Sequence, residues 1–321
     1  MQNTQQNRLL KMFPTPAFLS TPATGVSIND EAIRFVFLTR KGGSYVVTYA
    51  GEKKLPMGVV VDGVIQKSEE LIQLLKMIRE EHNIQFAHAS LPDEEGYVFV
   101  TKVPATEISE LKSAIEVSIE ENAPVKVADT VYDYSIINNT FADGALEVVV
   151  SAMPRETVEA YCGVFEASGI NVLSLQLEAH ANVRTVLPFG ENDTNLIVTI
   201  TRLNKMSMVI TRDGNIMFSS VVQMMTDNPE EVLGLLKKTI SYWNVHMQEV
   251  YGVNAPVSAI WVAGGNLKLD QYAKSIKKGA ELPVNMANVW ENVCSLENYV
   301  PPIMNEEALA YSVAIGLALT S

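Results

Sequence analysis

The chain has 321 residues, with 37 acidic and 24 basic side chains and a net charge of −13 at pH 7. Since 47% of its residues are hydrophobic and 19% are charged, its composition is that of a globular protein, long enough for one or two domains of roughly 100–200 residues each. The acidity argues against a nucleic-acid-binding protein, which needs a basic face.

Neither a targeting signal, a disulfide nor a metal site is predicted. Residues 1–24 are interpreted as an N-terminal tail, and they lack the apolar stretch of a secretory signal, so we expect a cytoplasmic protein. Cys162 and Cys294 lie far apart in the sequence, and the four histidines are scattered. The apolar run from Ala308 to Leu319 is shorter than the roughly 20 residues that cross a bilayer, which predicts a buried helix.

The first elements are predicted to form strands followed by a helix. Hydrophobic and polar residues alternate from Gly25 to Ala50, and Lys41-Gly42-Gly43 is typical of a turn, so this stretch predicts a hairpin. Another extended piece follows near Gly58–Val61. A helix then begins near Ser68, with apolar residues at a spacing close to 3.6.

Residues 84–168 form a second block, which predicts an α+β subdomain inserted into a first lobe of residues 25–83 and 169–190. The block contains four strand-like and two helix-like segments. These segments are Phe86–Leu91, Tyr97–Val103, a helix from Thr106, Thr130–Ile137, Glu147–Ala152 and the helix Arg155–Ala167. Asp93-Glu94-Glu95 is interpreted as a solvated hairpin turn.

The remaining residues, 191–321, repeat the pattern of the first lobe. Asn195–Thr201, Lys205–Thr211 and Asn215–Val222 alternate like strands, Asp213-Gly214 is typical of a hairpin turn, and a helix follows from about Pro229 to Val250. A duplicated α/β core predicts two similar lobes with a ligand cleft between them.

At this point several segments resemble the family of the type IV pilus assembly protein PilM, FtsA-like members of the actin fold. They are PATGVSINDEAIRFV, LPMGVVVDGVIQKSEELIQLLK, EISELKSAIEVSIEENAPVKVADTVYDYSII, VAGG and YSVAIGLAL. The resemblance covers nearly the whole chain. It implies an α/β, actin-like, two-lobed fold with residues 84–168 as the extra subdomain, and a scaffold role in pilus assembly at the inner face of the cytoplasmic membrane.

The resemblance also implies that family members bind ATP between the lobes, where this chain departs from the pattern at the first phosphate turn. The family pattern resembles GIDIGSSSVK, whereas this chain has GVSINDEAIR. Ser27 therefore replaces the acidic residue that orients magnesium, and Asn29 replaces a glycine. Asp30 and Glu31 place negative charge where phosphates would lie, so we expect them to repel a nucleotide.

The second phosphate segment departs in the same way. IVTIT stands where the family pattern resembles LIDIG, so Thr199 takes the acidic position and Thr201 the glycine position. Gln176, in the connecting strand, does not show whether the nucleotide site is intact or degenerate. Gly264-Gly265 fits either an adenosine-side segment or an ordinary strand-to-helix turn. The sequence therefore predicts a degenerate nucleotide site and no cofactor, with ATP binding and hydrolysis as the alternative.

A shorter second lobe supports the same prediction. After the strand GNIMFSSVVQMM the chain passes into a single predicted helix, where the family runs through a longer helical excursion. The upper subdomain of the second lobe is therefore expected to be shortened, with part of the adenosine pocket missing.

The resemblance implies a protein partner. In PilM-like proteins the N-terminal cytoplasmic peptide of the membrane protein PilN docks between the sheet of the first lobe and the extra subdomain. We expect that groove near residues 33–38, 97–119 and 155–165, with Phe99, Ile115, Ile119 and Val158 as candidate contacts. An assembly ATPase is a further candidate partner, and self-association stays open.

No motif for catalysis is present, since GxSxG, GxxxxGK[ST] and GxGxxG are all absent. An enzyme of the actin superfamily would need acidic residues at the positions of Ser27 and Thr199. A filament-forming division protein would need a C-terminal linker and an amphipathic helix after Leu319. We therefore expect a binding protein and not an enzyme.

Overall fold

The computed structural model describes residues 22–104, 108–140, 144–252 and 254–320; the predictions for residues 1–21 and for Thr106 lie outside them. The first half of the chain contains β1 (Thr24–Ile28), β2 (Ala32–Lys41), β3 (Ser44–Lys54), β4 (Val60–Val61), β5 (Val64–Ile65), α1 (Ser68–His82), β6 (Phe86–Leu91), β7 (Tyr97–Val103), α2 (Ile108–Asn122), β8 (Thr130–Thr140), β9 (Leu146–Pro154), α3 (Arg155–Ser168) and β10 (Asn171–Leu177). The second half contains α4 (Glu178–Val186), β11 (Asn195–Ile200), β12 (Lys205–Arg212), β13 (Asn215–Gln223), α5 (Pro229–Tyr251), β14 (Ala259–Ala263), α6 (Leu269–Gly279), β15 (Val284–Met286), α7 (Asn305–Ala308) and α8 (Ser312–Ala318).

Two five-stranded sheets share one topology. The order of the first is β10-β6-β1-β2-β3, and that of the second is β15-β14-β11-β12-β13. Each sheet has three consecutive antiparallel strands, and two further strands parallel to the first of the three. We call the parts built on these sheets the first lobe and the second lobe. The internal repeat predicted from the sequence is thus present strand by strand.

The stretch predicted as one hairpin contains three strands. Asn29 makes the additional turn, because its side-chain Oδ1 accepts hydrogen bonds from the backbone N–H groups of Glu31 (3.0 Å) and Ala32 (3.1 Å). The second turn lies at Gly42 and Gly43 as predicted, with φ values of 59° and 89°. The chain therefore leaves β1 abruptly, at the edge of the cleft between the lobes.

The inserted subdomain is smaller than predicted. Strand β6, assigned to residues 84–168 by the sequence, pairs in parallel with both β1 and β10 in the first sheet. Helix α3 packs against α1 and β10, which also belong to the first lobe. The subdomain proper is the sheet β7-β9-β8 with α2, around a small apolar core of its own. Hydrophobic periodicity identifies strands but not the sheet to which they belong, which explains the error.

The C-terminal apolar run forms the buried helix that was predicted. Helix α8 packs against α4 and against three strands of the first sheet, β1, β2 and β6. Six of its seven residues are buried. No helix within the described ranges has the length and apolar character needed to cross a membrane.

A single helix, α5, connects β13 to β14 in the second lobe, as the sequence predicts. Asn228 caps it by accepting a hydrogen bond from the N–H of Glu230 (3.0 Å), and Pro229 occupies its first turn. It ends at Gly252, which has a left-handed backbone conformation.

Candidate functional site

Most residues of the predicted nucleotide site do meet, in a narrow cleft between the lobes. Seven residues that the sequence assigns to the nucleotide site lie in the wall of this cleft: Ser27, Asn29, Glu31, Thr199, Thr201, Gly264 and Gly265. Its volume is about 50 Å³. Pockets that enclose drug-sized ligands measure roughly 300–1,000 Å³. The inter-lobe cleft is thus several times smaller than such pockets.

Lys205 of the second lobe lines this cleft and pairs with carboxylates across it. Its ammonium lies 2.6 Å from Asp30, 2.9 Å from Asp62 and 3.0 Å from Glu94, three carboxylates of the N-terminal half. Asp30 is held in turn by the backbone N–H groups of Asp62 (2.9 Å) and Gly63 (3.1 Å). The side chain of Lys205 is only 8% exposed. Although burial alone lowers the pKa of Lys205, its carboxylate partners raise it overall, so the ammonium stays charged.

A second set of contacts crosses the cleft beside the first. Arg34 pairs with Glu31 (3.2 Å) and Glu52 (2.7 Å) within the first lobe. From the second lobe, Arg202 reaches Glu52 at 3.1 Å, and the backbone N–H of Leu203 donates to Glu31 Oε1 at 3.1 Å. Asp30 and Glu31, which the sequence predicts to repel a nucleotide, are both paired with cations, Asp30 with Lys205 and Glu31 with Arg34.

Two carboxyl groups with raised pKa values, those of the buried Asp93 and the half-buried Glu178, also line the cleft. Asp93 accepts hydrogen bonds from the N–H of Ala179 (3.0 Å) and from Ser207 Oγ (3.5 Å). Burial, and secondarily the charge of Glu94, raises the pKa of Asp93 to about 7; burial likewise raises the pKa of Glu178 well above its usual range. Asp93 does form a turn but is only 5% exposed, so its predicted solvation is wrong. The sequence carries no signal for Glu178.

The raised pKa of Asp93 predicts that stability decreases with rising pH. In the folded state Asp93 keeps its proton up to about pH 7, whereas the ordinary pKa of an aspartate is 3.8. The stability that this proton contributes is therefore complete below pH 3.8 and is lost as the pH rises from 3.8 through about 7. We expect the free energy of unfolding to decrease by about 1 kcal/mol per pH unit between pH 5 and pH 7. Urea titrations should show a shallower decrease for Asp93→Asn, whose amide oxygen still accepts from Ala179.

The matched control is Asp129→Asn, at an exposed aspartate. It should follow the wild-type pH dependence. Parallel stability curves for Asp93→Asn and the wild type would show that Asp93 is ionised in the folded protein across this range.

Gly264 has a structural reason to be glycine. Its φ is +116°, and a Cβ at this position would lie 2.2 Å from the carbonyl oxygen of Ile200. Strand β14 therefore approaches the end of β11 more closely than any side chain allows. The sequence left two interpretations of Gly264-Gly265 open, and this contact supports the ordinary structural one.

A much larger cavity, of about 520 Å³, lies on another side of the first lobe. It has three walls: β8 and β9 of the subdomain, β10 and α4 of the first lobe, and the β12–β13 turn of the second lobe. We call it the three-walled groove. Its lining residues are Leu91, Val131, Tyr132, Asp133, Tyr134, Ser135, Val149, Ser151, Ala152, Met153, Val158, Leu175, Gln176, Leu177, His180, Val183, Arg184, Gly214, Asn215 and Ile216.

Gln176 belongs to this groove and not to the inter-lobe cleft. Its side-chain oxygen accepts a hydrogen bond from Arg184 Nη2 (2.6 Å), and its amide donates to Ser174 Oγ (3.1 Å). Nearby, Nδ1 of His180 is buried without a hydrogen-bond partner in the described part of the chain. Burial, and then the charge of Arg184, lowers the pKa of His180, so this ring is neutral at pH 7.

Two sheet edges border the groove. Strand β8 is the last strand of the subdomain sheet, and β10 is the last strand of the first sheet. Along the neighbouring β9, Val148, Val150 and Ala152 pack into the small subdomain core. Val149 and Met153 pack into the main core, so Ser151 between them points to the groove side.

Of the four predicted partner contacts, Val158 alone lines the groove. Ile115 and Ile119 are fully buried between α2 and the subdomain sheet. Phe99 lines a separate cavity of about 170 Å³ beside α5. Residues 33–38, the predicted first-lobe wall, do not line this groove either. Sequence periodicity marks apolar positions but does not separate core from groove.

Comparisons with known proteins agree with this architecture. The family described as type IV pilus assembly protein PilM matches residues 25–223. A solved structure titled PilM-PilN type IV pilus biogenesis complex is similar with a TM-score of 0.75 and 17% identity, over 94% of this chain and 98% of that chain. The cytoplasmic domain of EpsL, from the type II secretion system of Vibrio cholerae, is similar with a TM-score of 0.52 and 12% identity, over 94% and 96%. These similarities show a shared actin-like fold.

Proposed function

Because this chain belongs to the family of the type IV pilus assembly protein PilM, we propose that it is a scaffold of pilus assembly that binds the N-terminal peptide of a PilN-like membrane protein in the three-walled groove. One observation carries the proposal. The groove measures about 520 Å³, whereas the inter-lobe cleft measures about 50 Å³ and is crossed by ion pairs.

The groove suits an extended peptide. A strand added to the edge of β8 or β10 would gain backbone hydrogen bonds, while alternate side chains would enter apolar pockets near Val131, Val158 and Leu175. The structure of a PilM-PilN complex has the same fold, which supports a peptide partner of this kind.

The cleft supports a binding role without nucleotide turnover. Ser27 and Thr199 replace the acidic residues expected to orient magnesium, and Lys205 occupies the space near Asp30. In the proposed scaffold role, the protein therefore needs neither ATP nor a metal. Isothermal titration with Mg-ATP tests this part, since tight binding would favour the alternative of an ATP-hydrolysing member of the actin superfamily.

Localisation follows from the proposed partner. A peptide from the cytoplasmic end of a membrane protein would hold this chain at the inner face of the cytoplasmic membrane. Contact with an assembly ATPase, and association with a second copy, stay predictions for pull-down and light-scattering experiments.

Ser151→Trp tests the groove directly. An indole placed between Val149 and Met153 would fill the space that the peptide needs, so we expect peptide affinity to fall at least about tenfold, or 1.4 kcal/mol. Fluorescence anisotropy with a labelled N-terminal peptide of the PilN-like protein measures this affinity.

Ser241→Trp is the matched control, since Ser241 is exposed on α5 of the second lobe. It should bind like the wild type, and thermal denaturation should show that both variants are folded. Failure of the wild type to bind the peptide, or equal binding by Ser151→Trp, would refute the proposed site.

A further inference from the structure

Strand β12 connects the inter-lobe cleft to the three-walled groove. Lys205, its first residue, makes the ion pairs with Asp30, Asp62 and Glu94 across the cleft. The turn that follows its last residue, Arg212, supplies Gly214 to the groove wall. Lys205 and Arg212 are seven residues apart, so the strand spans about 24 Å between the cleft and the groove.

Strand β12 is held rigidly within the second sheet. It is hydrogen-bonded on both sides, to β11 and to β13, and seven of its eight residues are buried. The turn at its far end is tight, with positive φ at Asp213 (52°) and Gly214 (72°), as in the common two-residue hairpin turn. A rotation of the second lobe would therefore carry this wall of the groove with it.

The far end of β12 is fastened to the subdomain as well. Arg212 Nη2 lies 2.6 Å from Glu147 Oε2 of β9, and both side chains are buried. The second lobe thus touches the N-terminal half through ion pairs of Lys205 and Arg202 at the cleft and through the Arg212 pair beside the groove. Lys205 makes three of the four ion pairs that the described residues form across the cleft, so its release would weaken the cleft contact relative to the contact beside the groove.

From this geometry we propose that the contacts of Lys205 act as a latch that sets the width of the three-walled groove. The latch keeps the lobes closed with a built-in cation, so lobe closure and peptide binding are coupled without a nucleotide. By reciprocity, bound peptide favours the latched state. The inference rests on the proposed peptide-binding function.

Peptide affinity of a Lys205→Met variant tests the latch. We expect affinity about tenfold below the wild type, within the usual range of coupling between two sites. Lys205→Arg, which keeps the charge, should restore most of the affinity. Lys268→Ala should leave it unchanged, because Lys268 pairs with Asp227 inside the second lobe.

Lobe closure is measured separately. Spin labels at Glu69→Cys on α1 and Ser241→Cys on α5, both exposed positions, are placed in a Cys162→Ser background that keeps the buried Cys294. The distribution of distances between the two spin labels should broaden in Lys205→Met and narrow again when the peptide is added. Thermal denaturation confirms that the variant is folded.

The outcomes separate the two proposals. If the wild type and Lys205→Met bind the peptide equally, the latch is refuted while the peptide function stands. If the wild type does not bind the peptide, the proposed function and the coupling both fail. An unchanged distance distribution in a folded Lys205→Met protein refutes the latch in either case.

Discussion

Gly264→Ala is expected to lower the free energy of unfolding by about 3 kcal/mol or more. The added Cβ would lie 2.2 Å from the carbonyl oxygen and 2.6 Å from the backbone nitrogen of Ile200, and φ at this position is +116°. Backbone atoms cannot move aside as a flexible side chain can, so β14 must shift away from β11 in the centre of the second sheet. Urea denaturation measures the loss.

Gly234→Ala is the matched control in the same lobe. Gly234 lies within α5, and a Cβ there would meet no atom within 4 Å. It should be as stable as the wild type, or more stable by up to about 1 kcal/mol because alanine favours helix. Near-wild-type stability of Gly264→Ala would contradict the structural interpretation of Gly264 and return attention to a ligand role for this turn.

Glu147→Met is expected to cost about 3–5 kcal/mol of unfolding free energy, the usual loss when one partner of a buried ion pair is removed. Arg212 is only 7% exposed and Glu147 1%. The carboxylate of Asp213 is 3.8 Å from Arg212 Nε but mostly exposed, so it is a weak substitute. The guanidinium would be left buried with too little negative charge around it.

The double variant Glu147→Met/Arg212→Met separates the ion pair from the packing. Two apolar side chains can replace a buried pair at little cost, so the double variant should be more stable than Glu147→Met alone. Asp227→Ala, which breaks an exposed pair with Lys268, should change stability far less than Glu147→Met does. A double variant less stable than Glu147→Met would show that Arg212 has other important contacts.

Much of the fold was predictable from local patterns. Alternation identified the strands of both lobes, Asp213-Gly214 identified a hairpin turn, and the apolar run near Ile315 identified a buried helix. These features are local because strand and helix periodicities repeat within a few residues. The extra turn at Asn29 was missed, although an Asn-Asp pair between two apolar runs is a signal for it.

The surroundings of individual side chains were predicted less well. Ile115 and Ile119 looked like groove contacts, yet they are core residues of the subdomain, and Gln176 lies in the groove and not in the cleft. Whether an apolar side chain faces a core or a cavity depends on which sheets meet there. That depends on strand pairing over long separations, which no local pattern contains.

The duplicated α/β order could be predicted from the alternation of residue types along the chain. The contacts of the acidic first turn could not, because they join residues that are far apart in the sequence. Asp30 and Lys205, 175 positions apart, meet at 2.6 Å, so charge that looked repulsive holds the lobes together. Residue types are written in the chain, but ion pairs form between groups that folding brings together, and their strength depends on the burial that the whole fold creates.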